Sequence, residues 1–156
     1  NHGGQSDAER STWIVTNTAG LNDYFLKSSE TKQFPGIVDI MPTIGRHLQI
    51  PYPKEQAFEL DGITLTGKLS VISPVVKMDK EKINVSWKSV EKEGNVKIWL
   101  AVTNHFEEGG SDHYMLMQEL PVTAENAVID IANLPKGYFK IVVEGKYNTV
   151  NRWIVN

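Results

Sequence analysis

The stretch Ile83-Asn84-Val85-Ser86-Trp87 decides the fold class of the second half of this chain, because it alternates apolar and polar side chains. A period of two places every second side chain on the same face of a β-strand. The three apolar members would therefore face a core, and the two polar members would face solvent. A single strand is not stable alone, so further strands are expected around it.

Segments of similar character continue from this stretch to the end of the chain. Short turn sequences such as Glu93-Gly94-Asn95 and Glu108-Gly109-Gly110 separate them. The predicted strands are 75–78, 83–90, 96–103, 113–120, 127–131, 138–144 and 150–155. Short strands at this spacing, without helical periodicity between them, predict an antiparallel β-sandwich of about seven strands.

The first seventy residues have a different pattern. Residues 12–17 are short, aromatic and β-branched, which predicts a strand buried on both faces in a sheet covered by helices. Residues 21–27 predict one or two helical turns, and residues 28–35 predict an exposed loop. Residues 59–69 predict a turn and a brief extended stretch outside the core.

A clearer helix begins near Asp39, which is expected to cap it. Ile40, Ile44 and Leu48 recur at the spacing of one helical face, and they predict an apolar stripe of about three turns. Trp13 and its neighbour Ile14 are expected to pack with this stripe as one small cluster. The sequence therefore predicts two domains, residues 1–70 and residues 71–156, and an α+β fold overall.

Composition excludes several classes of function. The chain has 156 residues, a formal net charge of −3 and no cysteine. Without a basic surface, binding of nucleic acid is disfavoured, and the lack of cysteine removes disulfides, thiol catalysis and cysteine-based zinc sites. No apolar run approaches the length of about 20 residues that crosses a bilayer, so membrane insertion is not expected.

Four short motifs occur in order in the first half. They are His2-Gly3, residues 12–16, Val38-Asp39-Ile40-Met41-Pro42-Thr43-Ile44 and Leu60-Asp61-Gly62-Ile63-Thr64-Leu65. This series resembles the C-terminal end of the alkaline phosphatase superfamily, in the branch of sulfatases, type I phosphodiesterases and nucleotide pyrophosphatases. The Asp-x-x-Pro-Thr helix is the most specific of the four. The chain would then begin with the truncated end of an α/β domain, as its start at Asn1, close to a predicted core strand, also suggests.

The resemblance implies a metal-dependent phosphoric ester hydrolase that holds two divalent metal ions, usually zinc. Two adjacent cations can clamp the attacking and leaving oxygens of an in-line displacement. His2 would be one metal ligand, and a small-molecule phosphate or sulfate ester would be the substrate of the parent enzyme. The resemblance also implies a bacterial, exported protein, periplasmic or on the cell surface. An Asp-His-Gly ligand motif and a nucleophile do not occur before His2, so the chain itself is expected to be inactive.

The second half resembles a fibronectin type III or related immunoglobulin-like module. The opening stretch at 83–87 is similar to that family's second strand with its core tryptophan, and Leu134-Pro135-Lys136-Gly137-Tyr138-Phe139 is similar to its turn into a late strand. Such a module is usually an accessory to an exported enzyme. The alternative is a protein without catalytic activity, an Ig-like binding or structural module whose first seventy residues only support the sandwich.

Two further groups of residues are candidate sites. The cluster His105, Glu107, Glu108, Asp112 and His113 offers metal-binding atoms, but its glycine turn predicts a solvated loop. The four tryptophans, Trp13, Trp87, Trp99 and Trp153, suit sugar stacking in principle. Their strand contexts predict packing in the core or between sheets instead.

Overall fold

Two antiparallel β-sheets form the core of the protein, and several short helices precede them. The computed structural model describes residues 6, 11 and 13–155. The helices are α1 (Asp23–Leu26), α2 (Ser28–Thr31), α3 (Ile40–His47) and α4 (Lys54–Glu59), and short 3-10 turns lie at Ile37–Asp39, His105–Glu108 and Val122–Ala124. None of the helices in this part of the chain has the length and apolarity that crossing a bilayer requires.

The strands agree with the sequence prediction to within a few residues at each end. They are β1 (Val71–Asp79), β2 (Lys82–Ser89), β3 (Asn95–Ala101), β4 (Met115–Pro121), β5 (Asn126–Asp130), β6 (Tyr138–Glu144) and β7 (Thr149–Val155). One sheet has the order β1-β2-β5 and the other the order β4-β3-β6-β7. The predicted antiparallel β-sandwich is therefore confirmed.

The opening stretch on β2 behaves as its alternation predicts. Ile83, Val85 and Trp87 are buried in the core between the two sheets, and the residues between them are exposed. The indole N–H of Trp87 donates a hydrogen bond of 2.9 Å to the carbonyl oxygen of Val122. A buried polar group with a partner avoids the cost of desolvation, so the tryptophan fits an otherwise apolar core.

Strand β6 departs from alternation, because its five central residues, 139–143, are all buried. Phe139, Ile141 and Val143 belong to the core between the sheets. The opposite face of the strand is covered by helix α4, whose Phe58 ring lies 5.7 Å from Trp99 and 5.0 Å from Tyr114 between ring centroids. The four-stranded sheet is thus buried on both faces where α4 crosses it.

The segment after α4 also contributes to the core, contrary to the prediction that residues 59–69 lie outside it. Ile63 and Leu69 belong to the same buried cluster as the sandwich strands, and Leu65 is buried as well. Residues 62–66 are all buried, so this segment fills space next to the sheets with consecutive side chains. The prediction missed this because an isolated extended stretch does not reveal what it packs against.

Residues 13–17 do not form the predicted buried strand. Trp13 is 81% exposed and Val15 is 82% exposed, and residues 13–19 have no regular secondary structure. A strand buried on both faces needs neighbouring strands and covering helices, and the described residues provide none beside this segment. The predicted exposed loop at 28–35 is also partly wrong, since α2 occupies its first half.

The predicted small cluster around helix α3 is wrong as well. The helix forms, but its apolar stripe faces solvent, with Ile44 51% exposed and Leu48 60% exposed. In the described part of the chain both sheets belong to the sandwich, so an α/β sheet is not among the described elements.

Candidate functional site

The carboxylate of Asp39 lies at the centre of the junction between the Asp-x-x-Pro-Thr motif and the motif at residues 60–65. It is only 3% exposed. Its Oδ1 accepts a hydrogen bond of 2.6 Å from the backbone N–H of Ile63, and its Oδ2 accepts one of 2.8 Å from the backbone N–H of Gly36. The hydroxyl of Tyr24 lies 3.5 Å from the same Oδ2. Backbone donors thus compensate the burial of this charge.

The prediction that Asp39 caps helix α3 through its side chain is therefore wrong. Its carboxylate accepts no bond from the first turn of α3, and its backbone is already helical. The 3-10 turn Ile37–Asp39 leads directly into the helix, so the side chain of its last residue points back to Gly36 and across to Ile63. The side chain of Asp39 therefore links the turn at Gly36 to the segment at Ile63, and it does not cap helix α3.

Thr43 makes a second link between the same two segments. Its hydroxyl donates a hydrogen bond of 2.6 Å to the carbonyl oxygen of Asp39 and accepts one of 2.9 Å from the backbone N–H of Leu65. Pro42 lies in the first turn of α3, where a backbone N–H would have no partner inside the helix. Asp39, Pro42 and Thr43, the three fixed residues of the Asp-x-x-Pro-Thr pattern, thus each have a structural role.

Gly62 allows the second segment to approach the helix closely. A Cβ atom at this position would lie 2.0 Å from the carbonyl oxygen of Val38, far inside van der Waals contact. The sequence predicts only a turn at this glycine. The close approach of the two backbones could not be predicted from the sequence, because Val38 lies more than twenty residues earlier.

Tyr24 is held in its neutral form at this junction. Burial and the neighbouring carboxylate of Asp39 together raise the pKa of Tyr24 to about 12. A neutral phenol can donate its proton toward the carboxylate at any physiological pH. The junction is therefore a hydrogen-bonded structural network in which Tyr24 is a donor.

Arg46 joins helix α3 to the sandwich. Its guanidinium donates hydrogen bonds to the carbonyl oxygens of Thr66 at 2.9 Å and Lys68 at 2.8 Å, and a third to the carbonyl oxygen of Tyr147 in the β6–β7 turn. Burial lowers the pKa of Arg46. Because this side chain has five donors in a fixed fork, it can bind three carbonyls from two segments together.

Several buried polar side chains attach helix α4 to the outer face of the four-stranded sheet. The ammonium of Lys140 and the hydroxyl of Tyr114 both donate to the carboxylate of Glu59. Asn151 donates from its amide to the carbonyl oxygens of Phe58 at 3.0 Å and Leu60 at 2.9 Å. The main-chain acceptors at the end of α4 are thereby satisfied.

The metal ligand expected from the resemblance, His2, lies outside the described residues. Within residues 13–155, and at residues 6 and 11, no group of three or more histidine or acidic side chains is arranged to hold a metal ion. The role of His2 remains a prediction.

The loop with His105 and Asp112 is a structural turn. Asp112 is buried, and its carboxylate accepts hydrogen bonds from the hydroxyl of Thr103 and from the backbone N–H groups of His105 and Phe106. Burial raises the pKa of Asp112, but these three donors outweigh it and the pKa lies below its usual value. The other candidate residues of the loop are exposed, as a solvated loop predicts.

The four tryptophans divide into two pairs. Trp87 is in the core and Trp99 lies under helix α4, as the sequence predicts. Trp13 and Trp153 are exposed, the latter by 62%, so core packing is wrong for these two. Trp153 lies on β7, an edge strand of the four-stranded sheet.

Comparison with known protein families gave no match to this sequence, and none of the curated proteins is significantly similar to it.

Proposed function

We propose that this chain is the C-terminal part of a metal-dependent phosphoric ester hydrolase of the alkaline phosphatase superfamily, similar to phosphodiesterases and nucleotide pyrophosphatases. One observation carries the proposal. The residues that make the two motifs recognisable, Asp39 and Thr43 in one and the stretch 61–65 in the other, bind one another through hydrogen bonds. Chance similarity in two separate segments would not require their motif residues to meet at one buried junction.

The exposed surface of the first segment supports the same proposal. Eleven of the eighteen exposed large apolar side chains among the described residues lie between positions 13 and 50. The apolar surface consists of Ile37, Val38, Ile40, Met41, Ile44 and Leu48, all on or next to helix α3. Contiguous exposed apolar patches mark interaction sites in soluble proteins. An α/β domain would cover this surface with its sheet.

In this proposal the described residues have a supporting role in catalysis. The metal ions would be bound by the parent enzyme, with His2 as one ligand, and they would activate a nucleophile and stabilise the leaving oxygen of a phosphate or sulfate ester. The sandwich would be an accessory domain similar to a fibronectin type III module, since it has seven strands and a core tryptophan on β2. Export of the parent enzyme is part of the same proposal.

The coding sequence upstream of Asn1 gives the most direct test. We expect an Asp-His-Gly motif shortly before this residue and a serine or threonine nucleophile far earlier. In the full-length enzyme, His2→Ala should lower zinc content and reduce the rate of ester hydrolysis on the order of 10²-fold. His47→Ala is the matched control, because this exposed histidine lies outside the motifs and should leave both measurements unchanged.

The chain by itself should be inactive toward a chromogenic phosphodiester, even with added zinc. Turnover that copurifies with the chain and disappears on chelation would contradict the proposal. So would an upstream sequence without either motif.

A second candidate function rests on a different observation. Residues 54–69 pack on the sandwich so closely that Ile63 and Leu69 belong to its core. This is what a non-catalytic Ig-like binding or structural module would show if its first seventy residues served only to support the sandwich. The upstream sequence distinguishes the two, because only the hydrolase requires a nucleophile and further metal ligands.

A further inference from the structure

A cavity of about 510 Å³ lies where helix α3, helix α4 and the β6–β7 turn (residues 145–148) meet. Ligand cavities in proteins usually measure about 300–1,000 Å³, so this one can hold a small organic molecule. Arg46 lines it from α3 and Ala57 lines it from α4. Arg46 also donates to the carbonyl oxygen of Tyr147 in the turn, which joins two sides of the cavity. We call this space the junction cavity.

The charged groups of the junction cavity leave positive charge without a partner. Among the described residues that line it, Glu144 is the only acidic side chain, and it already forms an ion pair of 3.2 Å with Lys54. Arg46 and Lys146 line the same cavity, and the described part of the chain provides no ion pair for either. The half-buried guanidinium of Arg46 binds three carbonyl oxygens, which accept hydrogen bonds but carry no counter-charge. Because buried charges are usually paired, an anionic ligand would supply the missing negative charge.

A third cation lies beside the same turn. The ammonium of Lys146 is 5.1 Å from the centre of the Tyr147 ring, and the ammonium of Lys68 is 5.4 Å from it. Lys68 has no ion pair with any of the described residues either. The ring attracts each ammonium but does not neutralise its charge. Two ammonium groups beside one ring repel each other, and an anion bound next to them would reduce this repulsion.

The rest of the cavity wall favours an anion that also has an apolar part. Ile50, Pro51 and Leu60 line the cavity with apolar side chains. The planar guanidinium of Arg46 has further N–H groups that suit the oxygens of a carboxylate or a phosphate. We propose that the junction cavity binds a small organic anion, a carboxylate or a phosphate monoester, with its acid group at Arg46 and Lys146 and its apolar part against the apolar wall.

This binding site goes beyond the proposed hydrolase activity. Its evidence is a cavity and its unpaired cations, and neither follows from the family resemblance. Pro42, Gly62 and Thr64, which belong to the motifs, form part of the wall, but the two residues at the acid group lie outside the motifs. Binding is measured on a chain that the hydrolase proposal expects to be inactive, so each proposal can fail without the other.

The test is a titration of the full chain at constant ionic strength, followed through the amide NMR signals of residues 145–148. Phenylphosphonate and benzoate carry the two kinds of acid group on the same ring, and neither has an ester bond that could be hydrolysed. Benzyl alcohol has the ring without the charge, and inorganic phosphate has the charge without the ring. We expect saturable shifts with an affinity on the order of 1 mM for at least one ring acid, and binding at least about fivefold weaker for the other two probes. The ring acid that binds more tightly identifies the acid group.

Variants identify the groups responsible. Lys146→Gln should weaken binding of the tighter ring acid about three- to tenfold, and Lys146→Arg should retain it. Gln49→Glu places a carboxylate in the cavity wall at nearly unchanged shape, and it should weaken binding by more than about tenfold. Lys136→Gln and Gln56→Glu are the matched controls, because they make the same exchanges at exposed residues that do not line this cavity.

Three results would overturn the proposal. The first is an equal response to the ring acids and to benzyl alcohol or inorganic phosphate, and the second is no saturable shift at residues 145–148. The third is binding that Lys146→Gln and Gln49→Glu leave unchanged, or that the two control variants weaken by the same factor. That last outcome would mean that the net charge of the chain attracts the anion without a defined site.

Discussion

Replacing Asp39 by alanine tests the central junction of the first segment. The substitution leaves the backbone N–H groups of Ile63 and Gly36 without their acceptor in a buried environment. An unsatisfied buried donor costs about 1–3 kcal/mol, so we expect the free energy of unfolding to fall by about 2–5 kcal/mol. Asp39→Asn keeps one acceptor oxygen, but its amide N–H group would face a backbone N–H group, so one of the two hydrogen bonds is lost. This variant should lose about half as much unfolding free energy as Asp39→Ala.

Urea denaturation followed by circular dichroism measures this loss, and amide hydrogen exchange at Ile63 and Leu65 locates it. Asp79→Ala is the matched control, because this exposed carboxylate should change stability by no more than about 0.5 kcal/mol. Faster exchange confined to these amides would assign the loss to the junction. If Asp39→Ala changes neither the unfolding free energy nor the exchange rates, the carboxylate does not hold the two segments together.

Three further changes test other parts of the structure. Glu59→Gln and Lys140→Met should each lower the free energy of unfolding by about 3–5 kcal/mol in urea denaturation. The double variant should lose less unfolding free energy than the sum of the two single variants. Strict additivity would argue against a coupled buried pair. Stability should fall as pH rises from 10 toward 12, since the raised pKa of Tyr24 means that the folded state retains a proton that the unfolded state has lost. Tyr24→Phe should make that slope shallower without removing it, because burial also raises the pKa values of Tyr114 and Tyr138. An unchanged profile of urea midpoint against pH would contradict the contribution of Tyr24. Trp87→Phe should cost about 1–3 kcal/mol of unfolding free energy, through loss of the bond to Val122 and a small cavity; a change within error would mean that neither matters.

The sandwich could be predicted from sequence because its strands are specified locally. The alternation of Ile83, Val85 and Trp87 fixes both the strand and the face that it buries. The burial of β6 on both faces could not be predicted in the same way. It depends on the contact between Glu59 and Lys140, which are 81 residues apart in the sequence, and neither residue indicates its partner locally.

In the first segment, the apolar pattern of the sequence does not predict which side chains are buried. The apolar pattern of residues 12–17 and of helix α3 indicates a tendency to be buried, but burial also requires a neighbouring element. Among the described residues Trp13 and Ile44 have no such neighbour, and both are exposed. The motif identifies Asp39, but the spacing of Asp39 to the helix predicts a local cap. Its partner in the structure, Ile63, lies 24 residues later.

Because helix α4 covers the outer face of the four-stranded sheet, it limits how far the protein can be truncated from its N-terminus. A shorter protein that begins at Val71 would keep every strand, but it would open the outer face of the four-stranded sheet around Trp99 and Val142 to water. Lys140 would also lose its only carboxylate partner among the described residues. A flat sheet face with newly exposed aromatic and aliphatic side chains promotes aggregation. Soluble expression of the sandwich therefore calls for a start before Lys54, so that the helix accompanies the strands it shields.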